Sequence, residues 1–252
     1  MIPKVIHYCW FGRNPLPESA VKCIESWHKY MPGYEIKEWN EDNFDVNMVP
    51  YIAEAYSVKK YAFVSDYARF WILYHYGGVY FDTDVEVIKP IDDIVEKGPF
   101  MGVEEFCEFT PADLIGYPLV APGLGIAAVA GMDVYKQMLD YYDSVHFMNA
   151  EGQMITGGTV VVHTTRILVK AGLQPHSDSQ QVAGIDIYPA DYFNPFEDIT
   201  GRLRITERTR SIHWYASSWK PRNPVRQWFS RMSHRLFGLW LHKLKMKLQG
   251  HI

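Results

Sequence analysis

Apolar and polar positions along this chain repeat with two different periods. Lys4-Val-Ile-His-Tyr-Cys-Trp10 is a short apolar run that predicts a buried first strand ending at Phe11-Gly12. Pro17 then opens a helix. Its apolar Val21, Ile24, Trp27 and Met31 recur at three- and four-residue spacing, and Pro32-Gly33 closes it. Tyr34-Glu-Ile-Lys-Glu-Trp39 alternates with period two, as a half-exposed strand does. Strand, helix and strand within the first forty residues predict a βαβ start and an α/β fold. A helix around 60–76 meets Gly77-Gly78 and an apolar strand over 79–82, and Val85-Glu-Val-Ile-Lys predicts a further strand. Residues 98–132 are rich in loops with short apolar runs. Helices are predicted over Asp133–Tyr142 and Thr159–Ala171, the second opened by Gly157-Gly158. Asp186-Ile-Tyr-Pro and Tyr192-Phe-Asn-Pro-Phe predict short strands and turns.

From Pro224 the pattern changes. Val225, Trp228, Phe229, Met232, Leu236, Trp240 and Leu244 form an apolar stripe, and Arg226, Arg231, Arg235 and Lys243 lie off it. This predicts a basic amphipathic helix, or a pair broken at Gly238. The chain therefore divides into a main domain, residues 1–221, and a basic amphipathic tail, residues 222–252.

Charge sharpens this division. The net charge of −4 combines an acidic body with a tail end that carries ten basic and no acidic residues over 208–252. A basic amphipathic end suits an anionic membrane surface, while the same pattern also serves a helix packed on the domain or a dimer contact. The acidic body gives no reason to expect nucleic acid as a partner. The 252 residues suffice for one sizeable core. Cys9, Cys23 and Cys107 have no CxxC spacing and are odd in number, which argues against a disulfide framework or zinc site and for a reducing compartment. The start, Met1-Ile-Pro-Lys-Val-Ile-His, has neither the apolar core nor the cleavage site of a signal peptide. A cytoplasmic location, peripheral on the inner face of the cell membrane, is the expectation. Leu114–Met132 is uncharged but broken by Pro118, Pro122 and glycines, so it reads as buried loop and strand rather than a span.

The chemical signal lies in Ala62-Phe-Val-Ser65-Asp66-Tyr-Ala-Arg69 and Tyr76-Gly77-Gly78-Val79-Tyr80-Phe81-Asp82-Thr83-Asp84. Ten helical residues from Asp66 to Tyr76 travel about 15 Å. Four strand residues from Gly78 to Asp82 return roughly 13 Å. If the strand doubles back along the helix, Asp66 and Arg69 finish level with Asp82 and Asp84. Three carboxylates and a guanidinium at one corner suit a divalent cation, Mn²⁺ or Mg²⁺, and a polyanion such as a sugar-nucleotide diphosphate. Asp66 and Arg69 share a helix face at i,i+3. Alone, such a pair is a surface ion pair; on this largely apolar helix it is expected to be semi-buried and engaged. A second cluster, His213-Trp-Tyr-Ala-Ser217-Ser218-Trp219-Lys220, offers an imidazole for a metal and hydroxyl, indole and ammonium donors for phosphate, or else a core aromatic strand. Trp10 suits either stacking on a base or core packing. Glu104, Glu105 and Glu108 form an acidic loop run, either a solvated face or an acceptor-side contact. A haloacid-dehalogenase-type phosphatase also uses DxD after an apolar strand, but wants Thr or Val where Glu86 stands.

Taken together, the opening Ile-Pro-Lys-Val-Ile-His-Tyr-Cys-Trp-Phe-Gly, Ser65-Asp66…Arg69, Gly-Gly-Val-Tyr-Phe-Asp-Thr-Asp and the late His213…Ser217-Ser218-Trp219 resemble glycosyltransferase family 32. The set is also similar to the catalytic domain of the large glucosylating toxins. The resemblance covers roughly residues 2–220. It implies a GT-A-type nucleotide-sugar-binding fold with a mixed central sheet. It also implies metal-dependent, retaining transfer from a nucleotide sugar, a uridine diphosphate sugar by preference, to a glycan or lipid-linked saccharide in surface or capsular polysaccharide synthesis. Carried over, Trp10 stacks on the base, and Ser65, Asp66 and Arg69 hold ribose and donor sugar. Tyr80 joins the donor site, Asp82 reaches ribose or sugar and, through water, the metal, and Asp84 binds the metal directly. Ser217, Trp219 and Lys220 hold phosphate. The toxins place an acid five residues before the tryptophan; here that position is Trp214, so His213, one step earlier, is expected as the third ligand. Gly123-Leu-Gly-Ile-Ala-Ala stands where relatives often place a polar donor contact, which leaves the donor sugar open. No carboxylate nucleophile is evident, which points to a front-face displacement. The other reading is a non-catalytic nucleotide-sugar or glycan-binding protein.

Overall fold

The alternating runs pair into one mixed sheet with helices on both faces. A computed structural model describes residues 1–104, 110–155, 158–216 and 231–232. The chain begins with β1 (Val5–Cys9), α1 (Glu18–Tyr30), β2 (Glu35–Trp39), α2 (Pro50–Ser57), α3 (Tyr61–Tyr76), β3 (Gly78–Tyr80) and β4 (Val85–Val87). It continues through α4 (Asp92–Val95), β5 (Phe100–Glu104), β6 (Leu119–Val120), β7 (Ile126–Ala128), α5 (Asp133–Asp143) and α6 (Val160–Lys170). It closes with β8 (Gln180–Val182), β9 (Ile185–Tyr188), α7 (Ala190–Phe193), β10 (Phe196–Glu197), β11 (Arg202–Leu203) and β12 (Ser211–His213).

The sheet order is β2-β1-β3-β7-β5-β9-β8, with β6 added to β5. β1 is parallel to β2 and β3, and β5 is parallel to β9, while β7 runs antiparallel to both β3 and β5. β1, β2, β3, β5 and β9 therefore point one way, and their C-terminal ends form a single rim. Ligands of α/β sheets bind at such rims.

Side-chain alternation splits the core in two. On one face Cys9, Tyr80, Met101 and Ile126 pack against α2, α3, α5 and α6 through Ile52, Val64, Phe70, Tyr135 and Leu168. On the other, Ile6, Tyr8, Val79 and Phe100 pack against Trp27 of α1, Val85 and Val87 of β4, and Ile94 of α4. Each large side chain buried this way contributes about 1.5–3 kcal/mol relative to exposure. α1 also bonds directly to β4. The Trp27 indole N–H donates to the Val85 carbonyl at 2.7 Å, and Ser26 Oγ accepts from the Val87 N–H at 2.9 Å.

The βαβ start and the helices over 61–76, 133–143 and 160–170 follow the sequence pattern, with Thr159 capping the last. The strand expected over 79–82 pairs only as far as Tyr80. Phe81 keeps one bond to the His7 carbonyl at 3.1 Å, and the chain then leaves the sheet. The strand expected over Val85–Lys89 ends at Val87. Tyr192 and Phe193 close a helical turn behind Pro189 rather than a strand. The sequence pattern did not anticipate α2, which starts on Pro50, or the short β8. The loop-rich stretch 98–132 contains β5, β6 and β7, all largely buried. Cys9 and Cys23 are buried free thiols; Cys107 and Gly157 lie outside the described residues. So does the tail, except Arg231 and Met232. Arg231 bonds the Asp198 carboxylate at 2.6 Å and its carbonyl at 3.1 Å. No helix among the described residues is long and apolar enough to cross a membrane.

Candidate active site

The site begins with the turn between α3 and β3. Gly77 ends α3 at φ 65°, and Gly78 follows at φ 100°. A Cβ on Gly78 would lie 2.8 Å from the Val5 carbonyl and 2.9 Å from His7 Nε2, so only glycine fits between β1 and β3. His7 locks the turn. Its Nε2 lies 3.1 Å from the Gly77 carbonyl, and its Nδ1 accepts from the Trp39 indole N–H at 3.1 Å. Those partners require a neutral ring protonated on Nε2. Burial pushes the His7 pKa down to about 4, against the Gly77 bond and aided by Lys37.

This turn returns β3 along α3 and brings Asp82 to the Asp66–Arg69 pair. Arg69 Nη2 lies 2.9 Å from Asp66 Oδ1 and 3.2 Å from Asp82 Oδ1. Its Nε donates to the Ser65 carbonyl at 3.1 Å, and the guanidinium lies 5.1 Å from the Tyr80 ring centre. The Tyr80 hydroxyl donates to Asp82 Oδ1 at 3.0 Å. The Arg69 side chain is only 4% exposed. Burial opposes its charge, but Asp82, Tyr80 and Asp66 more than offset that and hold it protonated. Burial raises Asp66 to about 7 against the pull of Arg69, with Asp82 adding to the rise. Asp82 is also raised, by burial and by Asp84, against Arg69 and His213.

Asp84 is held by a segment 130 residues later in sequence. β12 pairs antiparallel with β4, placing His213 opposite Val85. His213 Nε2 lies 3.0 Å from Asp84 Oδ1. Tyr215 adopts a left-handed conformation at φ 50°, and the next N–H, of Ala216, donates to Asp84 Oδ2 at 2.8 Å. Burial works against the Asp84 charge, yet His213 and the Ala216 N–H hold its pKa below the usual range. Burial lowers and Asp84 raises the His213 pKa, and the acids win. Trp214 donates to Glu86 at 2.8 Å, which fixes the strand pair from its far side.

One ligand atom each from Asp82, Asp84 and His213 lies within 4.8 Å of the others. Their chemistry fits a divalent cation. Two carboxylates and one imidazole match Mn²⁺ or Mg²⁺, with Mn²⁺ the more tolerant of nitrogen. His213 Nδ1 is buried without a hydrogen-bond partner among the described residues. Asp66, Asp82 and Asp84 also bring more negative charge than Arg69 offsets, and a cation would balance it.

The structure thus brings Asp66, Arg69, Tyr80, Asp82, Asp84 and His213 together. Ser65 is part of the same turn of α3, its hydroxyl bonded to the Tyr61 carbonyl at 3.2 Å. Trp10 follows β1 at the same rim, half-buried, its indole N–H bonded to the Asn14 carbonyl at 2.6 Å. Ser217, Trp219, Lys220, Glu105 and Glu108 lie outside the described residues. Gly123 was read from the sequence only as the start of a stretch without the polar donor contact of relatives, not as a neighbour of Asp82. A Cβ there would lie 2.3 Å from Asp82 Oδ2, so the loop before β7 closes against the carboxylate. Ser26 and Trp27 hold β4 through their side chains and Ala216 holds Asp84 through its backbone N–H, contacts that no residue-type signature announces.

Residues 17–101 match the family model described as the glycosyltransferase sugar-binding region containing a DXD motif. That span holds Asp66, Arg69, Asp82 and Asp84, so the chain carries a glycosyltransferase-type DXD region, and the resemblance read from its motifs holds there. The chain is 32% identical over 111 residues to inositol phosphoceramide mannosyltransferase 1 of Schizosaccharomyces pombe, covering 40% of this chain and 33% of that protein. It is 26% identical over 155 residues to the initiation-specific alpha-1,6-mannosyltransferase of Candida albicans, covering 47% of this chain and 40% of that protein. The matches thus span between a third and two fifths of these relatives' length. A solved glycosyltransferase involved in the glycosylation of the major capsid of PBCV-1 aligns with a TM-score of 0.50 at 13% identity, over 91% of this chain and 100% of that one. The fold is accordingly the mixed-sheet α/β fold of GT-A glycosyltransferases.

Proposed function

We propose that this chain is a metal-dependent retaining glycosyltransferase, which moves a sugar from a nucleotide-sugar donor to a glycan or lipid-linked saccharide. The observation that carries this reading is the convergence of Asp82, Asp84 and His213 beside the buried Asp66–Arg69 pair at the C-terminal rim of the sheet. A bound Mn²⁺ or Mg²⁺ would supply Lewis-acid neutralisation of the departing nucleoside diphosphate. The protein's own part is positioning. Arg69 spends its donors on Asp66, Asp82 and Ser65, so it sets the carboxylates rather than meeting the donor itself. Asp66 and Ser65 face the ribose and donor sugar in this reading, and Trp10 the base. Ser217, Trp219 and Lys220 are proposed for the β-phosphate. Departure and attack then proceed on one face of the sugar, with the leaving oxygen taking the acceptor proton.

The fungal relatives are mannosyltransferases, which makes a mannosyl group the first donor sugar to test, beside the uridine diphosphate sugars. A role in surface polysaccharide synthesis, and a basic tail on an anionic inner membrane face, complete the proposal. The test is acceptor-free hydrolysis of a nucleotide-sugar panel with Mn²⁺, for wild type and Asp84→Ala. Release of nucleoside diphosphate from one donor, lost in the variant and with chelator, supports the reading. Tight nucleotide binding without release from any donor, with or without acceptor glycosides, makes it a nucleotide-sugar-binding protein instead.

A further inference from the structure

A second concavity opens on the same rim. Its volume is about 660 Å³, within the ~300–1,000 Å³ of small-ligand sites. One wall is the end of β5, Val103 and Glu104; the other is the segment after β9, Pro189 to Pro195. Because β5 and β9 are parallel to β3, these walls lie on the edge that also carries Asp82. The pocket connects to the acidic cluster through three side chains. Asn194, which lines it, donates from Nδ2 to the Tyr215 hydroxyl at 2.8 Å. Tyr215 packs edge-on to His213 with ring centres 4.2 Å apart, and His213 bonds Asp84. The charge of Glu104 acts on both His213 and Tyr215.

The lining sets two acids, Glu104 and Asp191, against one base, Arg204, and its other groups suit a polyol better than a phosphate. Tyr117 and Pro118 offer flat apolar surface, and Thr110 and Ser177 offer hydroxyls. Asp191 is held by Arg208 at 2.8 Å and by the Thr206 hydroxyl at 3.2 Å, which fixes that wall before any ligand arrives. Asn194 is 4% exposed, and its Oδ1 has no hydrogen-bond partner among the described residues. A buried amide oxygen left unpaired is costly, and a turn of the Asn194 side chain toward the pocket would let a ligand hydroxyl supply the donor it lacks. Pyranosides present one C–H face and a ring of hydroxyls, which matches apolar walls over polar floor groups.

We infer that this pocket is the acceptor subsite, and that it takes the terminal sugar ring of a neutral saccharide so that a hydroxyl faces the cation-binding rim. The inference rests on the glycosyltransferase reading for the word acceptor, but its test does not need turnover. Saturation-transfer NMR on the full chain, with Mg²⁺, would use methyl α-mannopyranoside, methyl α-glucopyranoside, methyl β-galactopyranoside and lactose as probes, with and without uridine diphosphate. Ser177→Trp and Ile115→Trp, exposed residues on different walls, would each fill the pocket; Ile115 is 72% exposed, so one of the two is expected to fold if the other does not. The expected result is millimolar binding of at least one probe, undisturbed by uridine diphosphate and at least about tenfold weaker in the folded variants. Failure of every probe to bind, displacement by uridine diphosphate, or equal binding by the variants overturns the inference. Absence of nucleotide binding with glycoside binding intact would instead overturn the donor chemistry and leave this pocket standing.

Discussion

Arg69→Met tests whether the buried guanidinium holds the site together. The substitution keeps much of the aliphatic volume over Tyr80 but removes every donor. Asp66 Oδ1, at 2.9 Å, and Asp82 Oδ1, at 3.2 Å, then lose their shared counter-charge in a place where the arginine itself is 4% exposed. Removing one partner of a buried ion pair costs about 3–5 kcal/mol, chiefly because the remaining charge stays buried and unpaired. For a domain of this size each kcal/mol moves the midpoint by about 2–4 °C, so a fall of roughly 6–20 °C is expected. The assay is urea and thermal unfolding at pH 8 with chelator present, so that cation binding to the intact site adds nothing to the wild type. A double-mutant cycle separates charge from packing. Asp66→Asn removes one orphaned charge, so adding it to Arg69→Met is expected to restore at least about 1 kcal/mol. A loss under about 1 kcal/mol for Arg69→Met, or no recovery in the double variant, would refute the claim that the guanidinium neutralises this corner.

Gly123→Ala places a methyl 2.3 Å from Asp82 Oδ2, so the carboxylate must move; Mn²⁺ affinity measured by calorimetry is expected to fall about 10–100-fold with the unfolding midpoint little changed. His7 is held neutral with its pKa near 4, below the 6.5 of the unfolded chain, so its contribution is full above pH 6.5 and lost as pH falls toward 4. That loss amounts to roughly 3 kcal/mol at most, read as the acid limb of urea stability against pH, and His7→Gln is expected to flatten it. Trp27→Phe leaves the Val85 carbonyl without its 2.7 Å bond inside the core; a loss of about 1–3 kcal/mol in urea unfolding is expected, and an unchanged midpoint would show that this bond adds nothing to the hold of packing, Ser26 and β12 on β4.

What could be read from the residues was the part of the site that is local in sequence. Asp66 and Arg69 are three apart on one helix, and the glycine pair between α3 and β3 announces the reversal that carries Asp82 back to them. Rises per residue then fix the meeting point to within a side chain. The strand pattern of β1 and β2 and the amphipathic face of α1 were equally legible, since each buries a periodic stripe. The rest depends on partners far along the chain. β12 is three residues long, and it exists because Ser211 to His213 pair with Val85 to Val87. His213 was reachable only as an imidazole near an aromatic run, without the strand that aims it. The sharp end of β3 at Tyr80 was hidden because Phe81 is as apolar as its neighbours. What ends the pairing is the approach of the loop at Gly123, whose carbonyl faces the Asp82 N–H at 3.4 Å. α2 was missed because a proline at its first position reads as a break, although that position needs no N–H.

These two classes of contact divide the site's work. The half written locally, α3 and β3, carries a fixed internal counter-charge, with the Arg69, Asp66 and Asp82 side chains 4%, 14% and 27% exposed. The half assembled at long range, β4 with β12, holds Asp84 and His213 at 17% and 12% side-chain exposure, and takes its order from the β4–β12 pairing, the Ala216 N–H and the His213–Asp84 contact. A divalent ion binding between the halves would add two positive charges where Arg69 supplies only one. It would draw on carboxylates that burial has already made reluctant to ionise, as the raised Asp66 and Asp82 show. Cation and protein order are therefore coupled. Whatever loosens β12 from β4 weakens the cation site while leaving the Asp66–Arg69 pair intact, and whatever removes Arg69 strains the cation site and the core together. Glu86→Gln weakens the bond to Trp214 behind β4 without touching a proposed ligand, so it is the substitution that separates the two. It is expected to lower Mn²⁺ affinity in calorimetry several-fold with little effect on urea unfolding. Equal losses of affinity and stability would mean that the halves fold and bind as one unit.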